Sequence, residues 1–493
     1  MTRPLPPTFR LVLDPGARRT DGGRVVIGGA PMRILRLTAA GARALDALAD
    51  GAPVGEAPTS QWLARKLLDA GLAHPRPPSF RPSVVVVVPV RDRPAGLAAT
   101  LQALGTPAAV HPLAAGIGEP PAFAFAGGAP PVVVVDDGSD GPGTSLAAER
   151  GGARVVRHDQ SRGPAAARNT GAKATASDVI AFVDADCTPA PGWLEPLLAH
   201  FADDAVGAVA PRVISGPRLG APRWIVEYER ARSPLDRGGR EAPVRPRGVV
   251  PFVPAAALVV RRRAFEDIGG FDEALRTGED VDFVWRLHED GWTVRYEPAA
   301  TVVHPPRPDT LAWVAQRFGY GSSAAPLAAR HPSAVAPLTV SAWSALAWGL
   351  VGAKRPAAGA AVGAGTTLLL SRRLGALEHP WREAFTLAGR GHLAAGRLCA
   401  DAVRRSWWPA AVAVAVGWRR ARLGVAAAFV VPPLVEWARE RPALGPGRWV
   451  AARVADDVSY GAGVWAGAVR ERSVAALVPD LSNWPGRRPA VER

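Results

Sequence analysis

Val132-Val133-Val134-Val135-Asp136-Asp137-Gly138-Ser139 decides how this chain folds, together with Ala181-Phe182-Val183-Asp184-Ala185-Asp186 further along. A run of valine-like residues without alternation makes a strand buried on both faces of a parallel sheet. The carboxylates then stand at the strands' carboxyl ends, the edge where open α/β sheets bind ligands. Asp184 and Asp186, one residue apart, share a face if their segment is extended, and such a pair can bind one divalent cation through oxygen. A metal held there would in turn hold a diphosphate. The competing reading is turn chemistry, because Asp and Gly follow strands for purely local reasons. A third buried-strand pattern, from Ser83 to Val88, precedes both and ends in Pro89-Val90-Arg91-Asp92. Three strands thus deliver acids to one edge.

Length and composition set the frame. The 493 residues allow two or three domains, and 48% hydrophobic against 21% charged residues excludes a disordered chain. Only Cys187 and Cys399 occur, without ligand spacing, so neither a disulfide framework nor a zinc site is indicated. A reducing compartment fits this, and Met1 to Leu13 has no apolar core of signal-peptide length, so a cytosolic catalytic region is expected.

The motifs continue in order. After Val88-Pro89-Val90-Arg91-Asp92 and Val135-Asp136-Asp137-Gly138-Ser139 come Arg162-Gly163-Pro164-Ala165-Ala166-Ala167-Arg168-Asn169-Thr170-Gly171, then Asp184-Ala185-Asp186, then Gly278-Glu279-Asp280. On these five, residues from about 80 to 310 resemble the family 2 inverting glycosyltransferases of the GT-A type. The resemblance implies an α/β fold with a Rossmann-like core that binds a nucleotide-sugar, and a UDP-sugar as donor. It further implies Asp92, Asp137 and Arg168 near the uracil, Asp184 on the ribose or metal side, and Asp186 as the metal ligand. His304, in Val302-Val303-His304-Pro305, corresponds to a histidine that reaches the metal or phosphates in some relatives. Mg²⁺ or Mn²⁺ suits such oxygen-rich sites. An acceptor hydroxyl attacking the anomeric carbon must lose its proton to a carboxylate, and Asp280 matches the family's base, with Glu279 shaping the site.

Each residue also has a structural reading. Asp92 could pair with Arg91 or Arg93 at the surface, Asp280 could be a helix N-cap, and His304 could be a satisfied structural histidine. Trp285 could stack on a sugar or sit in the core.

Residues 1–78 read as a separate winged-helix-like module. Phe9 to Leu13 and Arg24 to Ile27 look like strands joined by the turn signal Asp21-Gly22-Gly23. Thr38 caps one helix, Ser60 another through Ala70, and Gly71 ends it. The module resembles the peptide-recognition domains of pathways that modify ribosomally made peptides, so a precursor peptide is the partner it implies. Structural packing and DNA binding are the alternatives, the latter poorly served by Gln61, Arg65 and Lys66 alone. Pro75-Arg76-Pro77-Pro78 reads as a stiff linker, and Gly105 to Pro130 as a disordered insertion.

The C-terminal region, 311–493, reads as helical and membrane-associated. Residues 305–493 hold 24 Lys+Arg against 11 Asp+Glu, which is most of the net charge of +15. The basic pairs alternate with apolar runs, so an anionic membrane surface is expected and nucleic acid is not. Because 56 of the 59 basic residues are Arg, a general coding bias also inflates the basic count. Pro332 to Ala353 is 22 residues without a charge, about the length of a spanning helix. Pro356 to Ser371, Ser406 to Trp418 and Leu423 to Val435 are shorter. The three-part layout is similar to that of the mycofactocin-system glycosyltransferases, which implies transfer of a hexose, glucose in that system, to a peptide-derived redox cofactor at the cytosolic face of the membrane. A cell-wall glycan or glycolipid transferase is the alternative acceptor class, and a peptide-docking scaffold without turnover the alternative of another kind.

Overall fold

The structure is a computed structural model that describes residues 3–105, 129–332, 334–375 and 377–482. The expected insertion after Gly105 lies almost wholly outside these residues. By packing, the chain divides into two units, Met1–Leu219 with Arg232–Pro306 and Gly220–Ala231 with Arg307–Arg493.

The first unit is built on one mixed sheet. Val84–Val90 lies between Val132–Asp136 and Val179–Val183, parallel to both, and Arg154–Arg157 continues beyond Val132–Asp136. Counted along the chain, these four strands stand in the order 3-2-1-4. The order reverses between Val84–Val90 and Val179–Val183, and a doubly wound sheet opens its ligand crevice at such a point. Beyond Val179–Val183 come Ala257–Arg261, antiparallel, then Val206–Ser215 and Thr293–His304. Ala242–Val244 and Thr188–Pro189 both pair with Thr293–His304.

The valine runs are buried on both faces, as their lack of alternation predicts. Val84, Val86, Val88 and Val90 face Leu97 and Leu101 of the helix Pro94–Ala103 in one core cluster. On the other face the helix Pro164–Lys173 approaches so closely that a Cβ on Gly171 would lie 2.3 Å from Val87 Cγ1. Burial of each valine stabilises by roughly 1.5–3 kcal/mol, so the strands that carry the acids are also the rigid part of the unit.

The N-terminal residues form a small core of their own around Phe9, Leu11, Val26, Leu45, Leu67 and Leu72. The turn at Asp21 joins Arg18–Thr20 to Val25–Gly28, not the first strand to the second as expected. The first strand, Arg10–Leu13, instead pairs with Ala73–Arg76. Half of the expected linker is therefore a strand, held there by backbone pairing. Helices Ala39–Ala49 and Pro58–Asp69 complete the module, and it is docked on the sheet. Arg65 forks onto both oxygens of Asp203 at 2.8 and 2.7 Å, with both side chains buried.

The second unit is helical. Thr310–Ser322 and Pro446–Arg470 cross at backbone contact, since a Cβ on Gly463 would stand 2.0 Å from the Phe318 carbonyl oxygen. Tyr228 donates to Asp456 at 2.7 Å, and Arg404, Arg405 and Arg453 all converge on the buried Asp457. The uncharged run from Pro332 to Ala353 is not one helix. It holds a short strand, Thr339–Ser341, and then a helix of only 11 residues, Ala342–Gly352, started by Ser341 accepting from the Ser344 N–H at 3.1 Å. Among the described residues the one helix long and apolar enough to cross a membrane, by length and composition alone, is Arg419–Glu440.

Candidate active site

The acids gather at the carboxyl ends of the parallel strands, but in two groups with different tasks. The first group ties loops together. Asp136 is fully buried and accepts from Ser139 N–H at 3.0 Å, Ser145 Oγ at 2.7 Å and Arg157 at 2.7 Å. Burial alone would raise its pKa; these donors outweigh burial and hold it below the usual carboxylate range. Asp137 behaves alike. Against the cost of burial, its two oxygens accept from the Arg162 and Gly163 N–H groups, Ser161 Oγ and the His158 ring, all at 2.7–2.8 Å, so its pKa is also lowered. A carboxylate offers about four acceptor positions, and all are engaged. In this geometry the carboxylate pins the loop 158–163. Gly138, at φ +66°, must be glycine here, because a Cβ would stand 2.6 Å from the Ser161 nitrogen.

Asp92 joins the first two loops. Its N–H donates to Ser139 Oγ at 2.9 Å, its Oδ1 accepts from the Asp140 N–H at 2.7 Å, and Arg91 lies 3.3 Å away. The surface-pair reading with Arg91 is thus part of what it does, though the side chain stays 42% exposed on the crevice rim.

The second group carries the charge. Val179–Val183 ends and a turn follows, closed by the Cys187 N–H on the Asp184 carbonyl at 2.9 Å. The segment is not extended, so the shared-face argument for Asp184 and Asp186 fails and the two carboxylates take different partners. Asp184 Oδ1 accepts from Arg168 at 2.8 Å. Asp186 is paired with Arg93 and lies 3.5 Å from His304 Nε2. Among the described residues no three His, Cys, Asp or Glu side chains form a preformed metal cage.

Arg168 joins the second group to the acids of the following helix. Its guanidinium is buried, donating to Asp184 and, at 3.0 Å, to Glu279 Oε1. Glu279 and Asp280 open the helix Glu279–Glu289. The N-cap is Gly278, which rules out the capping role for Asp280; its carboxylate accepts from the Val281 N–H at 2.8 Å and the Ala255 N–H at 3.3 Å. Burial raises the pKa of both acids, the two carboxylates repel each other, and Arg168 offsets only part of this. Glu279 is pushed up to about 7.

Trp285 belongs to the core, 5% exposed with its ring N–H donating to the Pro251 carbonyl at 2.8 Å. Asn169 and Arg93 take part in ways the sequence reading did not indicate, Arg93 pairing with Asp186 and not with Asp92. Asn169 clamps the Phe271 backbone with a donor and an acceptor, at 2.8 and 2.9 Å, and Arg93 guards Asp186. Asn169 lies inside a quoted motif, next to Arg168, and that position was the signal for it.

The chain matches the profile described as glycosyl transferase family 2 over residues 129–269. It is 41% identical, over 97% of its length and 98% of the other, to the pre-mycofactocin glycosyltransferase of Mycobacterium tuberculosis. Polypeptide N-acetylgalactosaminyltransferase 15 of Mus musculus is 30% identical over 31% of this chain and 26% of that one. Among solved structures, a mannosyltransferase from Pyrobaculum calidifontis in complex with GDP-Man and Mn²⁺ is similar over 65% of this chain and 88% of that one, at 20% identity and a TM-score of 0.38. With a relative alike from end to end and the family profile spanning two of the three strands that carry the acids, the chain belongs to the family 2 glycosyltransferases, an enzyme with a GT-A core.

Proposed function

We propose that this glycosyltransferase moves a hexose, glucose in our reading, from a UDP-sugar to a hydroxyl of mycofactocin or its precursor, with inversion at the anomeric carbon. The full-length similarity to a pre-mycofactocin glycosyltransferase supports the acceptor class. The observation that carries the mechanism is the placement of Asp280 beside Glu279, raised in pKa and linked through Arg168 to Asp184 at the strand ends. Asp280 takes the proton of the acceptor hydroxyl as it attacks, and Glu279 and Arg168 set its charge environment.

A divalent cation fits the residues present. Asp186 Oδ1 and His304 Nε2 converge to 3.5 Å and supply one oxygen and one nitrogen donor. Mg²⁺ or Mn²⁺ is commonly held by one or two side chains and otherwise by phosphate oxygens and water. Asp186 and His304 would hold it, and Asp184, turned to Arg168, stands outside that pair. When bound, the ion neutralises charge on the departing diphosphate.

The decisive experiment incubates purified protein with a panel of UDP-sugars and pre-mycofactocin, in Mn²⁺ or in EDTA, and weighs the products. The reading predicts added hexose masses with Mn²⁺ and a loss of about 10²–10⁴-fold in Asp280→Asn at unchanged UDP affinity. Full transfer by that variant refutes the base assignment.

Membrane association, from the cytosolic face, is part of the same reading. The apolar helix Trp408–Gly417 has no buried residue, Val416, Trp418 and Leu423 are more than half exposed, and Arg419, Arg420 and Arg422 lie among them. Apolar surface flanked by arginine suits an anionic bilayer surface. Recovery of the protein unbound after flotation with phosphatidylglycerol vesicles would remove this part. The precursor-peptide partner for residues 1–78 stays within the proposal as the expected ligand of that module.

A further inference from the structure

The segment from Glu241 to Ala256 begins on the N-terminal module and ends between the two acids of the transfer site. At its start, Glu241 accepts both arms of Arg76 at 2.7 and 2.9 Å. Ala242–Val244 then adds to the sheet against Thr293–His304. Next comes a tight turn in which the Gly248 N–H meets the Arg245 carbonyl at 2.9 Å. From this turn Arg245 reaches back into the module, donating to the Asp69 carbonyl at 2.5 Å and the Ala30 carbonyl at 2.7 Å. Those carbonyls belong to the end of the helix Pro58–Asp69 and to the turn after Val25–Gly28, so one guanidinium fastens two elements of the module to one turn of the sheet domain. Beyond the turn the chain is committed quickly. The Pro251 carbonyl takes the Trp285 ring N–H, the Ala255 N–H meets Asp280, and the Ala256 carbonyl takes the Asp184 N–H at 2.9 Å.

We propose that residues 1–78 brace the acceptor side of the site, and that Arg245 is a positioning residue for transfer, holding the strip 249–256 against Asp280. The word acceptor rests on the function proposed above; the brace does not. A guanidinium that satisfies two carbonyls on one body while its backbone turns on another fixes distance and angle together, which a hydrophobic contact alone does not. The module then contributes to catalysis through the loop it holds, whether or not a peptide is bound to it.

The test compares Arg245→Ala, Arg245→Lys and Arg76→Ala in the full chain by hydrogen exchange, UDP calorimetry and transfer kinetics with pre-mycofactocin. Loss of two charge-assisted hydrogen bonds predicts about tenfold faster exchange at Phe252, Val253, Ala255 and Ala256 in Arg245→Ala, and about a tenfold higher acceptor KM. UDP affinity stays within about twofold, and Arg245→Lys recovers most of both effects. Arg76→Ala, which removes a partly exposed pair and leaves the module's core intact, moves the same amides in the same direction by about twofold. Unchanged exchange over 249–256 in the alanine variants overturns the brace. A fall in kcat at constant acceptor KM overturns it too, because that is the mark of a smaller folded fraction. Absence of any transfer by the unaltered enzyme would fail the proposed acceptor while the exchange result still decides the brace.

Discussion

Replacing Glu279 by Gln tests the electrostatics of the acid pair against a number. The amide imitates the protonated acid in shape and keeps an oxygen for the Arg168 hydrogen bond, so the comparison isolates the charge. In the folded chain Glu279 releases its proton near pH 7, against an ordinary value of 4.5, because it is buried and lies beside Asp280. The folded state thus binds this proton more tightly than the unfolded one. Its contribution to stability is full below pH 4.5 and is lost as the pH rises through about 7. At about 1.4 kcal/mol for each tenfold change in proton affinity, ionising Glu279 costs the fold about 3 kcal/mol by pH 8. Glu279→Gln avoids that cost. The variant should match the parent near pH 4.5 and exceed it by about 3 kcal/mol at pH 8, read as roughly 5 °C in the melting of the first unit. Melting curves collected every half unit from pH 4.5 to 8.5, with the UDP complex as a check on the folded site, measure it. A gap that does not widen with pH, or a variant less stable than the parent at pH 8, would refute the reasoning.

Asp186→Asn and His304→Ala should each abolish the strengthening of UDP binding by Mn²⁺ in calorimetry while leaving affinity in EDTA unchanged; strengthening that survives both would dismiss these ligands. Arg93→Ala removes a half-exposed partner of Asp186, so Mn²⁺ should bind about two- to fivefold more tightly without nucleotide, as the modest worth of exposed pairs allows. Gly171→Ala forces a methyl to 2.3 Å from Val87 Cγ1, and should cost about 1–3 kcal/mol in urea unfolding of the first unit with no change in the pH dependence.

The strand ends were legible because burial on both faces of a parallel strand forces an unbroken apolar run, and the residue that breaks it marks the edge. Val132 to Asp136 needed nothing more than this. Helix Glu279–Glu289 opens with three acids in its first turn, where the helix dipole favours negative charge. The partners of the acids were not legible, because they come from far away in the chain. Arg168 meets Glu279 across 111 residues, and Arg65 meets Asp203 across 138. No periodicity encodes such a meeting; it is decided by how the elements pack. The uncharged run Pro332 to Ala353 failed for the opposite reason. Lack of charge says only that a segment tolerates burial, whereas Thr339-Val340 favours a strand and Ser341 starts a helix, both local preferences that the charge count ignores.

The acid pair also explains why two adjacent carboxylates can hold different offices. One guanidinium, Arg168, serves Asp184, Glu279 and the nearby Asp280. Arg237 adds a second favourable charge near Asp280, yet burial and the repulsion from Asp280 still outweigh the arginines at Glu279, so Glu279 holds its proton more tightly than a free carboxyl does. Glu279 is the better keeper: it has the higher ordinary pKa and is pushed to about 7. Asp280 accepts two backbone N–H bonds, which favour its charged form and restrain the rise that burial imposes. Under the proposed mechanism this division is useful. Asp280, whose charged form the two N–H bonds favour, takes the proton, while the raised pKa of Glu279 eases the repulsion between the two carboxylates. Under that mechanism the strand-end acid Asp184 and the acid pair share one guanidinium, Arg168.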